Sequence, residues 1–198
     1  MMVRRMAIGA LVVLVVVALV WAIAAIAPRL PVRSTPAAAS PAAAPAIAGA
    51  ERRITATLYY ISEDGLSLPG MQREVPFADG IGEQARRIVE AQLADAPAPY
   101  ASPVPAGTSL RALFIGERGE AFVDLSGEVR AKHPGGSLDE IFTTYAIVNA
   151  LTVNLPAITR VQILIDGKEV DTLAGHIDLR HPLQKNLKWT ELQTDTDK

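Results

Sequence analysis

The stretch SLDEIFTTYAIVNALTVNLPAITRVQILIDGK, residues 137–168, sets the architecture. Ser137-Leu138-Asp139-Glu140 has the pattern of a capping box, in which the Ser hydroxyl and the Glu carboxylate satisfy orphan amides at a helix start. Leu138, Ile141, Phe142, Tyr145, Val148 and Thr152 then fall on roughly one face, and the predicted helix ends before Pro156. Val161, Ile163 and Ile165 alternate with other residues, as a half-buried strand does. Asp166-Gly167 reads as a two-residue hairpin turn, because Gly accepts the positive φ of a type I′ turn. Lys168–Leu173 is the expected return strand.

Working upstream, Ile54, Ala56, Leu58 and Tyr60 alternate with Thr55, Thr57 and Tyr59 and predict a first strand. Residues 71–77 form a short second strand ended by Pro76. Ile81, Ala85, Ile88, Val89 and Leu93 recur at helical spacing, so 81–94 is an amphipathic helix. Pro97, Pro99, Pro103, Pro105 and Gly107 impose an irregular loop. Residues 109–115 and 120–125 are strands joined by Gly116-Glu117-Arg118-Gly119. Leu113 and Ile115 lie opposite Leu110, Ala112 and Phe114, so that strand is apolar on both faces. This points to a second covering layer or a partner surface. The fold class is α+β, with a mixed or antiparallel sheet and two amphipathic helices packed on one face. One transmembrane helix precedes it.

The ends differ from this body. Residues 6–27 carry no charge over 22 positions. As a helix they span ~33 Å, close to the ~30 Å hydrocarbon core of a bilayer. A cleaved signal peptide is the rival. The apolar run is longer than its usual core, and Pro28 follows the best cleavage site, so 1–27 is read as a retained anchor. Arg4 and Arg5 flank one side and Arg29 and Arg33 the other, which leans only slightly toward a cytoplasmic N-terminus. Of the 23 residues 28–50, 14 are Ala or Pro, the composition of a tether. Residues 51–183 are the α+β domain and 184–198 a polar, frayed tail. The first 50 residues hold four Arg and no acid. All 21 acids therefore lie in 51–198 against the remaining 15 bases, a net −6. That balance excludes a basic nucleic-acid-binding domain. With no Cys in the chain, a disulfide scaffold, a cysteine-liganded zinc site, a Cys nucleophile and a lipidated Cys are excluded as well.

Few residues carry recognisable chemistry. His176, Asp178 and His181 are the nearest approach to a metal cluster, yet no four-ligand pattern is visible, and strand and loop polar roles fit them better. Asp124 ends a strand, where a carboxylate caps the following turn. Asn149 sits among apolar neighbours on the second helix, four residues after Tyr145, and its amide is expected to bond to backbone nearby. Gly135-Gly136-Ser137 precedes a helix but lacks a P-loop Lys. No cofactor motif, metal site or nucleophile context emerges, and the chain is read as a non-enzyme.

The order of these pieces resembles the GerMN domain of sporulation and spore-germination proteins. Residues 102–108 (SPVPAGT), 121–126 (AFVDLS), 145–152 (YAIVNALT), 161–168 (VQILIDGK) and 175–183 carry the resemblance, over about residues 54–183. It implies an extracytoplasmic, membrane-tethered domain without established enzymatic activity. Some members help assemble envelope complexes during spore formation, and others are lipoproteins linked to envelope signalling. The domain is similar to small α+β ring-building modules. His176 and Asp178 match the family pattern, which assigns them no chemistry. This chain departs in carrying one copy rather than two, and a plain anchor without a lipid-attachment Cys. The expected function is a membrane-anchored interaction or assembly module in the cell envelope, binding a protein partner or itself. The alternative is a cell-wall glycan (peptidoglycan) or small-ligand module, built on the Pro97–Gly107 loop and an exposed Tyr59 or Tyr100. Tyr59, Tyr100, Asp124, Tyr145, Asn149, His176 and Asp178 are the candidate binding residues.

Overall fold

A computed structural model describes residues 52–190. The predicted anchor and tether, and residues 191–198, lie outside the described residues. Among the described residues no helix is long and apolar enough to cross a membrane. The order is β1 Arg53–Tyr59, β2 Gly70–Pro76, α1 Ile81–Leu93, β3 Leu110–Ile115, β4 Glu120–Leu125, α2 Glu128–Ala131, α3 Ser137–Asn154, β5 Arg160–Ile165, β6 Lys168–Glu169 and β7 Leu183–Gln184. The α+β class and the mixed sheet are as expected.

Two sheets form rather than one. β1 and β2 pair as an antiparallel hairpin. β3, β4, β5 and β6 make the main sheet in that order, and β7 also pairs with β5. β4 and β5 are parallel, which requires a crossover, and α2 and α3 supply it. The expectation of two helices on one sheet face is therefore corrected: the helices form a layer with a sheet on each side. Ala85, Val89, Ile147, Val148 and Leu151 pack toward the main sheet with Leu113, Val123 and Ile163. Ile88, Phe142, Ala146 and Ala150 pack toward β1 and β2 with Leu58 and Val75. α3 is consequently buried almost all round, not along one stripe as its sequence face implied.

The capping box does not form. The N-cap of α3 is Gly136, and no side chain caps the helix. Glu140 is drawn instead into the core by donors from a distant loop, described below. The return strand is shorter than expected. Asp166 (φ 52°) and Gly167 (φ 76°) make the predicted turn, but pairing stops at Glu169, and 170–182 run irregularly between β6 and β7. The expected frayed tail also gives way over residues 184–190. β7 pairs with β5, Leu68 donates its N–H to the Trp189 carbonyl at 2.6 Å, and the Trp189 ring meets Phe142 edge-on at 6.2 Å.

The free edge of β1 is closed by side chains. Asn154 exchanges two 2.8 Å bonds with the Thr57 backbone. Gln92 does the same at Tyr59, at 2.8 and 2.7 Å. Ile61 continues the pattern with a backbone bridge to Ala101. These alternate residues point their peptide groups to one side, so two primary amides stand in for a neighbouring strand.

Gly119 marks a tight crossing. Its φ is +75°, and an added Cβ would meet the Ala157 carbonyl oxygen at 2.4 Å. Gly119→Ala is expected to cost about 2 kcal/mol, from the left-handed backbone and the clash together. The midpoint of urea unfolding at constant slope measures it.

Candidate functional site

Glu140 is the most heavily used polar side chain of the domain. It stands in the first turn of α3 and is 0% exposed. Oε1 accepts the Leu173 and Ala174 N–H groups, both at 2.8 Å, and Oε2 accepts the His176 N–H at 2.7 Å. His176 Nδ1 lies 3.0 Å from Oε2. An ionised carboxylate can only accept, so Nδ1 carries the hydrogen. Burial pushes the Glu140 carboxyl up. The backbone and His176 donors around it outweigh burial and hold it below the usual carboxylate range. The buried charge thus pins the 171–181 loop onto α3.

His176, Asp178 and His181 do not converge. His176 is exposed and donates its Nδ1–H to the buried Glu140. Asp178 pairs with Arg180 two residues away, at 2.9 and 2.8 Å. That hydrogen bonding holds the Asp178 carboxyl far below its ordinary range. His181 is exposed. Residues 176–181 lie in the irregular loop rather than on one strand face, and no group of three or more ligating side chains among the described residues could hold a metal ion. Asp124 accepts the Gly167 N–H at 2.7 Å, so it ties down the β5–β6 turn and not the turn after its own strand. Arg111 bridges Asp124 and Asp166 at 3.4 Å each. Asn149 is buried and exchanges bonds with the Asn186 backbone at 2.8 and 3.0 Å. Its backbone partner is 37 residues away, in the segment expected to fray. Tyr145 is half-buried and touches both halves of the core.

The aromatic candidates separate. Tyr59 is 3% exposed, so it cannot serve as a surface platform. Tyr100 is half-exposed and helps line a groove of ≈ 600 Å³ with Glu63, Asp64, Pro69, Pro99 and Thr190. The other open feature is the main-sheet face turned away from the helices. Leu113, Val123 and Ile163 point to the helical core, so alternation sends Phe114, Phe122 and Leu164 outward. Phe114 is 64% exposed and pairs across the strands with Phe122. Arg118 and Arg160 flank Glu120 at one end of this face, and Asp124 and Asp166 flank Arg111 at the other.

The sequence reading missed Glu140, Gln92 and Asn154. Gln92 gave the best signal, as a polar residue in line with buried Gln84, Ala85 and Ile88 on α1. Glu140 was hidden because a helix-capping motif already accounted for it.

A family model described as Germane, sporulation and spore germination, matches residues 57–171, more than half of the 198. No curated protein matches the sequence. Solved structures do. A Clostridium perfringens protein put forward as a lipoprotein is 25% identical, with 67% of this chain and 88% of that chain covered and a TM-score of 0.47. The first GerMN domain of the Bacillus subtilis sporulation protein GerM is 20% identical, over 68% of this chain and 96% of that one, with a TM-score of 0.50. The tandem GerMN domains of the same protein give 20% identity, 69% and 46% coverage and a TM-score of 0.50. At these identities the likeness to GerM is one of fold.

Proposed function

From the premise that this chain belongs to the Germane family of sporulation and spore germination, we propose that it is a non-enzymatic assembly module. Its domain stands outside the cytoplasmic membrane, tethered by the apolar segment 6–27, and binds a protein in the cell envelope. The observation that carries this reading is the exposed Phe114, paired with the half-buried Phe122 on the main-sheet face turned away from the helices. Isolated exposed apolar residues are ordinary. A 64% exposed Phe paired with a half-buried one, on the sheet face opposite the helices and between charged ends, has the anatomy of an interface.

The face fits a second copy of the chain. One end carries two Arg and one Glu, the other two Asp and one Arg. Two faces stacked with strands antiparallel place the cationic end of each over the anionic end of the other, as an isologous two-fold contact requires.

Photo-crosslinking from a benzoyl-phenylalanine at position 114, in cells making the full chain, tests this. A discrete adduct of twice the chain mass is the expected result. An adduct with another protein would keep the module and replace the second copy as partner. Monomer alone across growth states would overturn the reading.

A further inference from the structure

The groove beside Tyr100 is a second site, away from the sheet face. We propose that it binds an extended, cationic, proline-containing peptide segment. Its walls are fixed in advance. Ile61 and Ala101 exchange backbone bonds at 2.9 and 3.0 Å, which joins the two loops that flank it. The Ser62 N–H reaches the Ser67 carbonyl at 3.0 Å, and the Leu68 bond to Trp189 holds the Thr190 side. A preformed groove spares a ligand the cost of ordering the protein.

Charge selects the ligand. Glu63 and Asp64 are the charged residues of the lining, and among the described residues no Lys, Arg or His lines the groove with them. Neither forms an ion pair among the described residues. Asp64 is exposed, and its Oδ1 accepts both from the Ser62 hydroxyl and from the Leu66 N–H. The same bonds hold its carboxyl below the ordinary range, so it stays ionised near neutral pH. Two carboxylates without an ion-pair partner among the described residues, beside an aromatic ring, attract a guanidinium or ammonium group and repel an anionic polymer.

Shape selects the rest. The rigid rings of Pro69 and Pro99 and the Tyr100 side chain give the groove its ridged, apolar part. Aromatic and proline ridges match a polyproline II ligand, which has little conformational entropy left to lose. This site rests on the reading of the chain as a protein-binding module only in that its ligand is a peptide. Failure at Phe114 leaves it standing.

Fluorescence polarisation of labelled (Pro-Pro-Arg)3 titrated with the full chain in detergent micelles tests the proposal. Saturable binding is expected, with none for (Pro-Pro-Glu)3 and weakening as salt rises. Glu63→Lys lies on an exposed turn and should cost about tenfold in affinity. Tyr100→Ala should cost several-fold, and circular dichroism checks that it folds. Equal binding of (Gly-Ser-Arg)3, indifference to Glu63→Lys or absence of binding would overturn the proposal. Displacement of the peptide by chitohexaose would assign the groove to glycan instead.

Discussion

Glu140→Ala is expected to destabilise the domain by about 4 kcal/mol, among the largest effects of any single substitution in this chain. The change removes a carboxylate that is 0% exposed and leaves the N–H groups of Leu173, Ala174 and His176 without their acceptor. The loss should be felt first in the 171–181 loop, whose amides will exchange with deuterium far faster, and then in global unfolding. A drop of this size lowers the melting temperature by roughly 10 °C in a domain of this length. Glu140→Gln should cost less. Its carbonyl can still accept from Leu173 and Ala174, while its NH2 faces the His176 N–H donor.

The pH dependence supplies a second readout. The folded-state carboxyl of Glu140 lies below its ordinary value, so its stabilisation is fully present above the unfolded value, ~4.3. It is lost as pH falls through the folded value. Wild type should therefore lose stability between about pH 5 and the acid limit more steeply than Glu140→Gln. The comparison isolates Glu140, because Asp64, Glu128 and Asp178, also held low, titrate equally in both proteins. Urea midpoints taken at successive pH values give both curves. Parallel curves would show that the buried carboxylate does not anchor the loop.

How far the sequence discloses this molecule depends on the range of the interaction. Local periodicity placed β1, α1, β3, β4, α3 and β5 within a residue or two, and Asp166-Gly167 named its own turn. Interactions closed over long separations were not legible. Glu140 meets partners 33 to 36 residues away, and the capping motif around it was a sufficient local explanation that the fold does not use. α3 was read as having one apolar face, carried by Leu138, Ile141, Phe142, Tyr145, Val148 and Thr152. Thr143 and Thr144 lie off that face and are buried as well, and Thr143 and Asn149 find backbone partners in the 103 loop and at Asn186. Tyr59 misled in the same way. Alternation along β1 assigned it to the outer face, but it is buried there as a member of the second half of the core. The groove is a juxtaposition of two loops that no single stretch of sequence contains.

Gln92→Leu is expected to cost a comparable amount, about 4 kcal/mol, although it makes α1 more apolar. Gln92 is 0% exposed, and each end of its amide satisfies one of the two Tyr59 backbone groups, N–H and C=O. Leu fills a similar volume but leaves a buried N–H and a buried C=O unpaired, and each carries its own desolvation cost. Loss of the clamp also reopens the β1 edge between Thr57 and Ile61, where an unpaired strand becomes a template for another chain. Concentration-dependent association in sedimentation velocity should therefore accompany the loss of stability. Gln92→Glu separates hydrogen bonding from packing. Its second carboxylate oxygen would face the Tyr59 carbonyl, acceptor against acceptor, so the ionised form is disfavoured in the fold and the folded-state carboxyl is pushed up. Protonation turns that oxygen into a donor and restores the pair of bonds. Relative to wild type at each pH, Gln92→Glu should regain stability as the solution is acidified, and Gln92→Leu should not. Equal recovery in both variants, or none in either, would mean that the amide fills space without closing the edge.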